Sequence, residues 1–576
     1  MKRPMNPLKY VGIGLALLIA ACQLPPPRAG VPASSVVTTR PASPATDAPA
    51  TDAPATDAPA TAATAAPSTD GSTLTIGMLT QPATLNIYTN FLWAGSQIIY
   101  GIMNSLLRMD NKMQLQPALA ESYAVSDDGL TYTFKLRKGV KWHDGQPFTA
   151  QDVVATWKLV MNPDYSANDL TGWDKIKSME TPDDYTVVMQ LKEVFAPFII
   201  FVGGMARMSP KHIIDQGAEA FKKQFDRAPI GTGAYKVVEW KSDQYILLEK
   251  NPDYFEGAPR IDHIVIRFVP DTNTLLVQLR TGEIQMTDEL GATDYAAVQA
   301  LPNSNNLALT GNNWSHIDLK NIDFLMDKRV RQALDYAIPR DQIVNQLLKG
   351  LVTPAVGDQS PITPFAHPTL KPRPYDLDKA AELLKAAGFV KNAQGILEKE
   401  GKTLTLDYWI SAGIQQFQLV QQVIASSWRK LGIEVNVGEQ DLSVANTQDG
   451  FFFSKTMTAN GYDWFNAFDP ENTYFWNSRF IPKEPGGVGG NMPAVYHPYE
   501  QQAKFDTLTD EANLEVNPEK RQKIYWQIQE LLHEEVPVIF LYWNKRIYVT
   551  PKNLAGFDPN AALPLLIDVE RWSFTQ

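Results

Sequence analysis

Cysteine is almost absent: Cys22 is the only one in 576 residues. That excludes an internal disulfide and any thiolate metal site, so the body of the chain must be held by packing alone. Histidine is scarce, with 7 scattered copies, and His533-Glu534-Glu535 has no second histidine one helical turn on, as a zinc site would need. No G-x-S-x-G elbow and no H-E-x-x-H pair occurs, which leaves hydrolase chemistry without a motif. GILEKEGKT at 395–403 falls short of a phosphate loop because five residues separate its glycines and a strand-like stretch follows it. It reads as a turn. The acidic pairs Asp127-Asp128 and Asp183-Asp184 sit in turn-rich stretches and read as surface loops. We therefore expect no catalytic residue, no metal and no cofactor. Basic excess is missing too: 52 Lys and Arg face 63 Asp and Glu, and a net charge of −11 argues against nucleic acid as a partner. Beyond residue 21 no apolar run reaches the roughly twenty residues a membrane-spanning helix needs.

The N-terminus carries Lys2, Arg3 and Lys9, then an apolar run over 11–21, then the cysteine. This is the order of a secretory leader, and a run of about eleven residues is too short to remain as an anchor. Ile19-Ala20-Ala21-Cys22 resembles the lipobox of bacterial lipoproteins. The resemblance implies removal of 1–21 and lipidation of Cys22 with palmitate-type chains, each buried CH2 contributing about 0.8 kcal/mol to membrane anchoring. Residues 22–72 are dominated by Pro, Ala, Thr, Ser and Asp, with TDAPA three times over 46–60. Such a tract cannot bury enough apolar surface to offset its ordering entropy and reads as an extended tether.

The rest, about 500 residues, alternates strand-like and helix-like segments and is long enough for roughly three domains. TYTFKL at 131–136 alternates polar and apolar as a half-buried strand does, and YTVVMQL, HIVIRFV, LTLDYWI and IEVNV read likewise. Thr149 with Asp152 three residues on resembles a capping box, and Gly388 and Gly432 read as helix stops. LVQQVIASSWRKLG places Leu419, Val423 and Trp428 near one face. The mixture predicts α/β lobes with mixed sheets. Trp93, Trp173, Trp314, Trp464 and Trp476 fall in irregular segments, where such rings either line a ligand cleft or pack between lobes.

Four blocks resemble one family. They are PALAESYAVSDDGLTYTFKLRKGVKWHDGQPFTAQDVVATW; GTGAYKVVEW with LLEKNPDYF and LRTGEI; DKRVRQALDYAIPRDQIV with DLDKAAELLKAAGF and LGIEV; and RQKIYWQIQELLHEEVPVIFLYW. They are similar to the extracytoplasmic solute-binding proteins of ABC importers of the oligopeptide, dipeptide and nickel type, family 5. The resemblance implies a two-lobed α/β clamp of the type II periplasmic-binding-protein class, with an extra inserted domain and an inter-lobe cleft. Projected here, the discontinuous first domain is 73–105, 196–310 and 540–576, the inserted domain 106–195 and the opposing lobe 311–539. Hinge strands are expected to cross near Leu309 and Tyr542. The implied role is a monomeric, membrane-anchored, extracytoplasmic protein that captures a small solute and hands it to ABC permease subunits without enzymatic change. Oligopeptide is the leading ligand and oligosaccharide the alternative, with heme and nickel chelates as lesser options; an exported hydrolase is the rival from another class.

Peptide binders of this family hold the ligand ammonium with an aspartate in a segment like W-x-x-D-x-x-[DE]-P. The matching stretch is YDWFNAFDPENTYFW, where counting back four from Pro470 gives Asn466 rather than aspartate. Asp463 or Asp469 serves instead if the register slips, and Asp469 equally suits a turn. The ligand-binding residues implied are Phe91, Trp93, Trp173, Trp464, Phe465, Asn466 and Asp469. Between 441 and 466 the only cation is Lys455, so no arginine stands ready there for a peptide carboxylate.

Overall fold

The computed structural model describes residues 71–89, 93–487 and 489–575. The leader, Cys22, nearly all of the tether and Phe91 lie outside them. β1 (Thr73–Met78) and α1 (Trp93–Ile102) open the described chain, followed by β2 (Ala120–Val125) and β3 (Thr131–Leu136). β3 buries Tyr132, Phe134 and Leu136 and leaves Lys135 exposed, the alternation its sequence requires. α2 (Ala150–Val160) starts where the Asp152 carboxylate accepts the Thr149 N–H at 2.8 Å. β4 (Ile176–Asp183) and β5 (Thr186–Leu191) complete an antiparallel sheet in the order β2-β3-β5-β4. β6 (Tyr235–Lys241), β7 (Tyr245–Lys250) and β8 (His263–Phe268) fold back on the first strand in the order β1-β8-β7-β6, with β1 parallel to β8. Ser72 donates its N–H to Asp262, 190 residues away, at 2.8 Å, so the first lobe is closed by segments far apart in sequence.

β9 (Thr287–Leu290), β10 (Ser304–Leu319), β11 (Thr405–Ser411), β12 (Glu434–Gln440), β13 (Ala459–Phe465) and β14 (Val538–Pro551) form a mixed sheet ordered β9-β14-β10-β13-β11-β12. A short strand, Val352–Pro354, also pairs with β14. β10 and β14 run through both lobes. Their pairing shifts register between Thr310 and Trp314 and again between Ser315 and His316, and interruptions of this kind are where paired strands bend. Before the break β14 has β9 on its other side; from Asn313 on β10 takes β13 as a second neighbour. The expected crossing points, Leu309 and Tyr542, lie on these two strands.

α3 (Gln415–Lys430) covers one face of this sheet and ends before Gly432, whose φ of +94° suits glycine. Its buried stripe is Phe417, Val420, Gln421, Ile424, Ala425 and Trp428, while Leu419 is 40 % exposed. The expected face is thus corrected by one position: Ile424 and Val420 lie one and two turns before Trp428, whereas Leu419 is nine residues away and rotates outward. α4 (Gln502–Leu514) and α5 (Pro518–Glu535) pack on the other face with Trp314, Trp464 and Trp543. The lobes touch where the Ala196 N–H donates to the Asn513 carbonyl at 2.7 Å and where the Tyr100 and Phe468 rings meet edge to face at 6.4 Å.

One cation is buried just past the end of β10. Lys320 is 1 % exposed and donates to the Ser454 carbonyl. Burial pushes its ammonium down to about 7 against the opposing pull of Asp318, whereas lysine in an unfolded chain titrates near 10.4. Between those values the unfolded state binds more protons, so stability rises with pH by about 1.4 kcal/mol per pH unit. We expect Lys320→Met to abolish that rise in denaturant titrations between pH 7 and 10. A slope that persists in the variant would assign the proton elsewhere.

Candidate functional site

Three strands from distant parts of the chain bring polar side chains together beside the hinge. Asn313 and Ser315 come from β10, Asp463 from β13 and Asn544 from β14. Alternation dictates which residues meet: Trp314, His316 and Trp464, of the opposite parity, turn to the other face. Asn544 Nδ2 donates to Asp463 Oδ2 at 2.8 Å and to Asn313 Oδ1 at 3.2 Å, and Ser315 Oγ donates to Asp463 Oδ1. From the start of α3, Gln416 Nε2 donates to Asn544 Oδ1 and to the Tyr542 hydroxyl, both at 3.2 Å.

Asn313, Gln416, Asp463 and Asn544 of this cluster line a cavity of about 220 Å³ with apolar walls from Ile414, Phe417, Leu442 and Phe465. Gly291 and Ala292, which follow β9, reach it from the far side of the strand break. Lys545 also lines it, but its ammonium donates to the Gly350 carbonyl at 2.9 Å. Burial pushes the Asp463 carboxyl above its usual range, and the Ser315 hydroxyl, the nearby His316 and the Asn313 and Asn544 amides oppose that rise only in part. No lysine or arginine pairs with Asp463 among the described residues. Its oxygens are held by neutral donors, which position a carboxylate without neutralising it. Such a group in an apolar-walled cavity is suited to a cation.

The structure disperses the remaining residues implied by the resemblance. Trp93 is the first residue of α1. Trp173 opens a short 3-10 turn and is 4 % exposed within the first lobe's core. Trp464 is 3 % exposed and packs 4.7 Å from Phe475 on the core face of β13, so strand alternation turns it from the cavity that Phe465 and Asp463 face. Trp314 and Trp476 belong to the same core, and Trp476 Nε1 donates to Asp358 Oδ2 at 2.6 Å. Asp469 is 1 % exposed, and both its oxygens accept from Arg521 at 2.7 Å.

Asn466 is committed on both sides. Its Oδ1 accepts from Trp314 Nε1 at 2.9 Å, and its Nδ2 donates to the Asp358 carbonyl. An aspartate there would set an acceptor against that carbonyl and lose the donor. We expect Asn466→Asp to cost about 1–3 kcal/mol of stability and to leave affinity for free-amine peptides no better. A gain in affinity without loss of stability would show that position 466 faces the ligand. The residues that sequence reasoning passed over are Asn313, Ser315, Gln416 and Asn544. A signal was present: in NNWSH, Asn313 and Ser315 alternate with Trp314 and His316, two-sided patterning inside a long strand.

The family profile described as bacterial extracellular solute-binding proteins, family 5 middle, matches residues 114–480. The oligopeptide-binding protein AppA of Bacillus subtilis is 30 % identical over 515 residues, covering 87 % of this chain and 91 % of that protein. The glutathione-binding protein GsiB of Salmonella paratyphi A is 29 % identical over 498 residues, covering 85 % of this chain and 93 % of that protein. The solved structure of the Bacillus subtilis AppA in complex with a nonapeptide superposes with a TM-score of 0.71 at 29 % identity, over 88 % of this chain and 99 % of that one. With its two lobes, its paired crossing strands and a cavity beside them, this chain belongs to family 5 of the bacterial extracellular solute-binding proteins.

Proposed function

We propose that this ABC-importer solute-binding protein captures short peptides, holding the N-terminal ammonium on Asp463. The observation that carries the reading is the buried carboxylate itself, braced by Asn544 and Ser315 and unpaired with any lysine or arginine among the described residues. An ammonium supplies the missing charge; a neutral sugar would find the amides of Asn313, Gln416 and Asn544 but leave the carboxylate uncompensated. A second observation agrees with an extended ligand. β13 has β11 beside it only through Gly461, so a peptide strand can approach the main chain at Asp463 from that side. The named ligands of AppA and GsiB are peptides. Lobe closure over the peptide follows from its differential affinity for the closed form and requires no bond chemistry. The full chain acts as a monomer, anchored outside the cytoplasm through lipid on Cys22 at the end of the 22–72 tether, and delivers its ligand to membrane permease subunits.

The test is thermal-shift screening of the purified protein with di- to pentapeptides against cello- and xylo-oligosaccharides. A micromolar binder at millimolar concentration stabilises by about 4 kcal/mol. Shifts with free-amine peptides and none with sugars are expected. Shifts with sugars alone would reverse the assignment.

A further inference from the structure

An amine, a carboxamide and a carboxylate share the core face of the large sheet, on the side away from the cavity. Asp318 of β10 stands directly opposite Asn460 of β13, and the Lys320 N–H donates to the Thr458 carbonyl at 3.1 Å, which carries the pairing one step past both strands. Lys320 is therefore the diagonal neighbour of Asn460 on the face that Asp318 also occupies, a separation that a lysine side chain spans. The Tyr462 hydroxyl, from the same face of β13, donates to Asp318 Oδ2 at 2.5 Å. Asp318, Lys320 and Asn460 are each 1 % exposed.

Their polar atoms are poorly satisfied. Among the described residues, neither Nδ2 nor Oδ1 of Asn460 has a hydrogen-bond partner, and Asp318 Oδ1 has none either, although His316 Nε2 lies 3.2 Å from it. A buried carboxamide left in this way forfeits the hydration of both its groups and gains nothing in return. Lys320 Nζ donates to the Ser454 carbonyl and lies 6.0 Å from the centre of the Tyr496 ring. The rings of Trp314, Tyr462 and Trp464 surround His316 and make the neighbourhood aromatic and dry. Burial, by pushing the ammonium down to about 7, leaves a large neutral fraction whose lone pair is a nucleophile.

We propose that Lys320 and Asn460 join in an intramolecular isopeptide bond, with Asp318 carrying the protons. Asp318 takes one proton from the ammonium, and the freed Nζ lone pair attacks Asn460 Cγ. The new N–C bond forms while the carbonyl electron pair moves onto Oδ1. Asp318 then hands its proton to Nδ2 and takes a second one from Nζ. The electron pair returns from Oδ1, the Cγ–Nδ2 bond breaks, and ammonia leaves with the last proton as ammonium, which restores the carboxylate. No oxidant and no further reactant enters. The product ties together the two strands that bring Asn313, Ser315 and Asp463 to the cavity, whatever ligand that cavity holds. The pH-dependent stability of the free Lys320 ammonium belongs to the unreacted chain and disappears with the bond.

The experiment is tryptic mass spectrometry of the full chain, wild type beside Asn460→Ala and Asp318→Asn. In the wild type, fragments 281–328 and 456–479 should appear as one species, lighter than their sum by one ammonia and uncut after Lys320, because an acylated lysine is not a tryptic site. Asn460→Ala should leave the fragments separate and restore cleavage after Lys320. Asp318→Asn should slow the linkage by about a hundredfold or more. Separate wild-type fragments with cleavage after Lys320 overturn the inference. Loss of ammonia that persists in Asn460→Ala also overturns it, by placing the reaction elsewhere. Linkage at the wild-type rate in Asp318→Asn overturns the role given to Asp318. Should a variant not fold, the wild-type fragments alone decide.

Discussion

Arg521→Met should lower the unfolding free energy of the second lobe by about 3–5 kcal/mol. The pair it breaks is bidentate, with both contacts at 2.7 Å, and its members are 7 % and 1 % exposed. Arg521 also ties α5 to the end of α4, because its Nε donates to the Ala512 carbonyl at 2.8 Å. Without it Asp469 remains buried beside Glu471, whose own carboxyl is already pushed up by burial. A surface pair provides the scale. Arg479 and Asp510 are 59 % and 43 % exposed in their side chains, and such pairs contribute no more than about 1 kcal/mol. The double variant Arg521→Met with Asp469→Leu should recover much of the loss, since removing both members of a buried pair is often near neutral. Denaturant titrations followed by tryptophan fluorescence separate the cases. An Arg521→Met cost no larger than that of Arg479→Met would contradict the role assigned to Asp469, which is to fix the segment that carries Asn466 and Phe468.

Asp463→Asn should weaken binding of free-amine peptides by about 2–5 kcal/mol, on the order of thirtyfold to several thousandfold. Nα-acetylated peptides should bind the variant and the wild type alike. The substitution keeps one acceptor oxygen for the Asn544 amide and presents its new NH2 to the Ser315 hydroxyl, which can rotate to accept, so stability changes little and the loss is read as recognition. The pH dependence has a definite sign. Ammonium binding requires the ionised carboxylate, and burial raises the Asp463 carboxyl above the ordinary aspartate value. Affinity is therefore full between that raised value and the peptide α-amino pKa of about 8, and falls as pH drops through the raised value, about tenfold per unit below it. The fall should begin at a higher pH than for an ordinary aspartate and vanish in Asp463→Asn. Equal losses for free and acetylated peptides would mean that Asp463 only shapes the cavity.

Local patterning made part of this architecture legible from the sequence. TYTFKL is a strand because its alternation fits a sheet with one buried face, and Asp152 can reach back to Thr149 because a helix starts there. Where periodicity was sampled too loosely the assignment slipped, as with Leu419 in place of Val420. The site was harder because its parts are scattered: Asn544 meets Asn313 from 231 residues away and Asp463 from 81. No local signal encodes such a meeting. Counting back from Pro470 also crossed the end of β13 at Phe465, where two-residue alternation stops and a turn begins. Within the strand, alternation selects Asp463 and Phe465 for the cavity and sends Trp464 to the core. Asn466, just beyond it, is spent bracing Trp314 and the Asp358 carbonyl.

The most direct measurement is a crystal structure of the full chain bound to a free-amine tripeptide. The account predicts the peptide between the lobes with its ammonium within about 3 Å of an Asp463 oxygen and the Asn544 contact retained. A peptide seated with its amino end away from Asp463, or density only outside the crevice between the lobes, would contradict it.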